Sequence, residues 1–143
     1  MRIVTAFTVA HSFSLTLAVL QILVPPARLV EIAIAASVVL AGLLNLYPPL
    51  VRRAVAIAFA FGLVHGFGFA NVLLDLGLHD GALAVSLAGF NVGVELGQIA
   101  IVGVLLPILF HLRRRPSMAR RFVPAASLAT SLLAMGWLLE RMA

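Results

Sequence analysis

The strongest constraint on this chain is the length of its apolar runs. The longest spans residues 82–112, where Glu95 is the only formally charged side chain. Soluble helices need polar residues at every turn so that one face can be solvated. An uninterrupted apolar run of about 20 residues instead matches the hydrocarbon thickness of a bilayer once it is coiled as a helix. Composition points the same way. Of 143 residues, 63% are hydrophobic and 10% charged, and the mean hydropathy is +1.16; soluble domains are roughly half apolar and a quarter charged. Too little polar surface remains to cover a soluble core. The expectation is an all-α, polytopic transmembrane helix bundle, one domain over residues 1–143.

Five spans are expected, over about residues 3–24, 29–46, 54–76, 82–112 and 123–139. Pro25-Pro26 and Pro48-Pro49 mark two boundaries, because proline removes a backbone donor and disfavours helix in the residue before it. The fourth span is long enough to require tilt, with Pro107 placed to kink it near one end. The first run continues past signal-peptide length and lacks a clear cleavage site, so it reads as a span.

All ten basic residues are arginines, and the formal charge is +5. These arginines lie between the apolar runs, which assigns them to orientation in a lipid bilayer and not to nucleic acid. With the N-terminus in the cytoplasm, Arg2, Arg52, Arg53, Arg113, Arg114, Arg115, Arg120 and Arg121 fall inside. Arg28 and Arg141 fall outside, an asymmetry of eight against two. Five spans then leave the C-terminus outside. The outer loop after the third helix carries Asp75, His79 and Asp80.

Ionisable groups at membrane depth are costly, by about 2.5–3.5 kcal/mol for Asp, Lys or Arg on insertion scales, and mark functional sites. At ~1.5 Å rise per residue, His11 lies about 14 Å from the cytoplasmic end of the first helix, and His65 about 17 Å from that of the third. Glu95 lies about 18 Å from the outer end of the fourth, which puts all three near one level. Asn91, Glu95 and Gln98 share a sector of about 60° on the fourth helix, nearly opposite a stripe of Gly89, Gly93 and Gly97. One polar face and one close-packing face predict a central position for that helix. The two amides suit either helix–helix hydrogen bonding or an ion path.

Thr5, Thr8, His11, Ser12 and Thr16 lie on one side of the first helix. Hydroxyls there can simply bond back to the preceding turn, whereas a buried imidazole needs partners for both nitrogens. Two roles fit Glu31, placed in the first turn of the second helix: stabilising the helix N-terminus or collecting cations at the outer boundary. Asn45 lies near the other end of that helix. Around His65, Gly62, Gly66 and Gly68 remove side-chain bulk.

Two imidazoles, a carboxylate and two amides suit a borderline divalent metal bound by mixed nitrogen and oxygen ligands. Cysteine is absent, which removes thiolate ligation. Exchangeable ligands are what a transport path needs. Nickel, cobalt, zinc and copper are not separated by the spacing, and no prosthetic group is implied.

Four segments, TAFTVAHSFSLTLA (5–18), VEIAIAASVVLAGLLNL (30–46), FGLVHGFGFANVLLDLGL (61–78) and FNVGVELGQ (90–98), resemble successive signatures of the HupE/UreJ family. The resemblance implies nickel or cobalt permease activity tied to hydrogenase or urease maturation, in a bacterial inner (cytoplasmic) membrane. His11, Ser12, His65, Asn91, Glu95 and Gln98 are the matching positions, with Glu31 added as a collecting ligand at the outer boundary. It also implies a further helix, ending in Asp-His, ahead of the Thr5 segment. Its ligands are expected from a second copy of the chain or a partner subunit. Two rival functions remain: an intramembrane metal-dependent hydrolase using Glu95 as base, and an accessory subunit whose polar residues only join helices.

Overall fold

The computed structural model describes residues 2–46, 53–75, 80–114 and 116–143, and their side chains except at 71–75, 80–81, 112–113 and 116–120. Five helices account for almost all of it: α1 (Arg2–Val19), α2 (Ala27–Leu44), α3 (Ala54–Asp75), α4 (Asp80–Arg113) and α5 (Pro116–Met142). No strand occurs among the described residues. α1, α2, Ala82–His111 of α4 and Arg121–Met142 of α5 are each long and apolar enough to cross a membrane. In α3 the described apolar segment is shorter, Ala54–Ala70. Large apolar side chains cover the outside, Leu133 and Val85 being almost three-quarters exposed. Lipid solvates such a surface; water does not.

Three boundaries differ from the expected ones. α1 stops at Val19, five residues early, because Gln21 takes up a left-handed conformation (φ 57°). The amide of Gln21 donates to the Ala18 carbonyl (3.0 Å) and that of Ile22 to Leu17 (2.9 Å), which satisfies the last turn by a Schellman cap. α2 starts at Ala27 with Pro26 as its N-cap residue, so Glu31 falls in the second turn, beyond the reach of the helix-end charge. α5 begins at Pro116, where proline's fixed φ suits the first helical position, and continues through Pro124.

Residue pairings set the topology. Gly62 abuts Phe7 and Ala10, and Gly66 abuts His11, Ser14 and Leu15, so α1 and α3 run parallel. These two helices form the most extensive pair. Their approach depends on the two glycines: a Cβ on Gly66 would collide with the His11 carbonyl and the Ser14 hydroxyl. α2 runs antiparallel to α3, with Ile34 filling the space over Gly68. It is also antiparallel to α5, where Gly42 meets Ser127 and Ser131, while Arg28 and Glu31 reach Arg141 at the other end. The start of α1 and the end of α5 therefore lie at opposite ends of the bundle.

α4 is not central. It leans on α1, α3 and α5 over a few residues each, and its membrane-length stretch contains no buried residue. Among the described residues, nothing lies within 4 Å of a would-be Cβ on Gly89, Gly93 or Gly97. The glycine stripe faces outward because the opposite, amide-bearing face is the one turned to α1.

Candidate functional site

His11 is the most enclosed ionisable group among the described residues, 1% exposed in the middle of α1. Three aromatic rings surround it. Phe7, one turn earlier, stacks on it (5.9 Å between centroids, 15° between planes), and Phe90 from α4 stacks too (6.1 Å, 18°). Phe69 from α3 presents an edge at 5.8 Å. Neither ring nitrogen has a hydrogen-bond partner among the described residues. A neutral imidazole carries one N–H and one lone pair, so both functions are buried unsatisfied, at a cost of roughly 1–3 kcal/mol each.

His65 sits across Phe7 from His11, its ring making an edge contact with Phe7 at 5.6 Å. Its Nε2 lies 2.9 Å from the Ser37 hydroxyl of α2. That hydroxyl has a single proton, which it donates to the Ile34 carbonyl at 2.7 Å. Its oxygen then accepts from His65, which places the ring proton on Nε2 and the lone pair on Nδ1.

α4 contributes its amides to α1. The Ser12 hydroxyl donates to Asn91 Oδ1 (2.8 Å), and Asn91 Nδ2 donates to the Leu87 carbonyl (3.0 Å). The Thr8 hydroxyl lies 3.0 Å from Gln98 Oε1 and 3.1 Å from the Val4 carbonyl. One proton cannot serve both acceptors; rotating the Gln98 amide lets its NH2 donate to Thr8 while Thr8 donates to Val4. Both amides thus join helices, and both flank the His11 cage: Ser12 adjoins His11, and Asn91 adjoins Phe90.

Glu95 and Glu31 stand apart. Glu95 is exposed on α4, with no hydrogen bond or ion pair among the described residues. No group of three His, Asp or Glu gathers among the described residues, so the expected meeting of His11, His65 and Glu95 does not form within one chain. Glu31 pairs with Arg141 (3.4 Å) at the end of the bundle. His79 and the side chains of Asp75 and Asp80 lie outside the described residues.

Sequence reasoning missed Phe7, Phe90 and Ser37. Ser37 had a usable signal, as the only hydroxyl residue in α2. The phenylalanines had none, since aromatic residues are ordinary in apolar spans.

The fold and site define a class: an integral membrane protein that encloses a pair of histidines between packed helices. The sequence model of the HupE / UreJ protein family matches residues 1–141, and the chain belongs to that family. It thereby joins a family of nickel/cobalt transport and hydrogenase- or urease-accessory membrane proteins. No curated protein and no solved structure matches the chain.

Proposed function

We propose that the chain carries a divalent transition-metal cation, nickel foremost, across a bacterial cytoplasmic membrane, with His11 and His65 as consecutive ligands. The observation that carries this reading is His11, whose two buried ring nitrogens have no partner among the described residues. A site that only joined helices would satisfy them. An imidazole lone pair suits a borderline metal, and the Phe7, Phe69 and Phe90 rings keep the ligand in place without competing for the ion. Ser12, Asn91 and Gln98 supply exchangeable oxygens beside the cage. The N-terminus lies in the cytoplasm in this reading, as the arginine asymmetry requires.

Nickel accumulation by cells at matched membrane abundance tests it. His11→Ala and His65→Ala are expected to lose most of the uptake, while Phe13→Ala, on an exposed face of α1, keeps it. Equal uptake in all three variants would sink the reading.

The glycine stripe of α4 supports a second element of the proposal, that two copies of the chain pair along α4. Among the described residues nothing lies within 4 Å of a Cβ placed at Gly89, Gly93 or Gly97, and such a stripe admits a second helix backbone. Since the chain has no cysteine, Gly93→Cys gives one defined thiol. Oxidation in membranes is expected to yield a disulfide-linked dimer, and Leu132→Cys on α5 to stay monomeric.

A further inference from the structure

A second polar region lies beside His65 and shares Phe7 with the aromatic cage. A cleft of about 320 Å³ opens between α2, α3 and α5, with His65 and Ser37 at its inner end and Asn45, Ser127 and Thr130 along its walls. Its polar groups come from three helices that the family signatures do not link, α5 above all. At Gly42 α2 packs tightly against Ser127 and Ser131 of α5, and Gly42 borders the cleft.

The hydrogen bonding of this wall is incomplete. Ser131 donates to the Val39 carbonyl (3.3 Å) and Thr130 to Ala126 (2.9 Å), so each is accounted for within or between its helices. Ser127 is 6% exposed, lines the cleft and makes no side-chain hydrogen bond among the described residues. A hydroxyl so placed costs stability unless something in the cleft bonds to it. Apolar packing between α2 and α5 would be served better by alanine.

The cleft also leads somewhere. Ala41, Asn45 and Phe61 border a second cavity of about 270 Å³, which continues to Ile3 and Ala54 at the end of the bundle where α1 and α3 begin. The two together run from mid-depth to one membrane face. Near His65 the hydroxyls are interspersed with Phe7, Val38 and Ala41, Asn45 borders both cavities, and the rest of the outer lining is apolar. Oxygen groups of this kind replace part of an ion's hydration shell without holding it tightly.

We infer that the α2/α3/α5 cleft is a water-filled access route joining His65 to the membrane face at the Arg53 end, lined by the oxygens of Ser127, Thr130 and Asn45 and sized for a partly hydrated divalent cation. The assignment of a cation rests on the transport reading above; the presence of water does not. Ser37 then stands at the junction, bonded to His65 on one side and bordering the route on the other.

The cysteine-free chain allows a direct test with a charged, membrane-impermeant methanethiosulfonate on sealed vesicles of both orientations. Thiolates form and react only where water solvates them, so Ser127→Cys and Thr130→Cys are expected to react about ten-fold or more faster than the lipid-facing Leu132→Cys. The reaction is expected only from the Arg53 side. Ser-to-Cys is nearly isosteric, and Thr130 is exposed, so at least the Thr130 variant will accumulate. Rates for both no higher than for Leu132→Cys, or labelling from the opposite face alone, would overturn the inference. The two readings fail separately. Inert cleft cysteines with His65-dependent nickel uptake refute the route alone; reactive ones with uptake indifferent to His65 uphold the water-filled route and refute transport.

Discussion

His65 shows how one hydroxyl can set the state of a ring. Ser37 has one proton and gives it to Ile34, so its oxygen faces the His65 Nε2–H. Nitrogen-15 spectra of His65 should therefore show the Nε2–H tautomer. Ser37→Ala, which removes the acceptor, should shift the population toward Nδ1–H. A wild-type ring protonated on Nδ1 would contradict the assignment. His11 has no such partner among the described residues, so the two histidines differ in the fold: the Ser37 hydroxyl orients one ring, and aromatic rings pack around the other.

At the scale of elements, the decisive contact is the seam between α1 and α3. The turn of α3 that carries His65 is stripped of side chains because α1's backbone occupies that space, and the His11 carbonyl lies directly against Gly66. Enlarging Gly66 must push the helices apart or displace the cage. Gly66→Leu is expected to destabilise the protein by about 1–3 kcal/mol, the usual range for overpacking, measured by unfolding in detergent. Gly136→Ala, where a Cβ meets nothing within 4 Å, should leave stability unchanged or slightly raised, as alanine favours helix by about 1 kcal/mol over glycine. Similar losses in both would mean that the seam is not the tight contact.

Across the whole molecule, α1 with α3 and α2 with α5 form two tight pairs, and α4 lies along the outside. The two pairs are joined at mid-depth by Ser37–His65. The α2–α5 pair is fastened at one end by Arg28, which donates to the Arg141 and Met142 carbonyls (3.2 and 2.9 Å), and by the Glu31–Arg141 pair. Both charged side chains of that ion pair remain substantially exposed, and such pairs contribute about 0–1 kcal/mol. Arg141→Ala should accordingly cost less than about 1 kcal/mol and leave nickel uptake at the wild-type level. A large loss of uptake would instead return Glu31 to the role of an outer ligand whose position Arg141 controls.

What the sequence determined alone follows from the solvent. Lipid cannot satisfy backbone polar groups, so apolar runs of this length must be helices, and their number and approximate limits can be read directly. Proline pairs and arginines placed most boundaries to within a few residues; the exceptions are the end of α1, where a cap forms at Gln21, and the start of α5, which lies at Pro116 and not near residue 123. The polar residues at depth were equally legible, because each is an exception in an apolar run. Which of them meet was decided only by tertiary structure. Helix periodicity gives every side chain an angle about its own axis but leaves that axis free to rotate and translate against its neighbours. Asn91 and Gln98 could therefore be assigned to one face, yet not to α1, and Gly89, Gly93 and Gly97 could be recognised as a packing stripe without showing that no described residue packs on it. The same freedom concealed the aromatic cage and the α2/α3/α5 cleft, since both are formed by residues from helices distant in sequence and acquire meaning only when packing brings them around the two histidines.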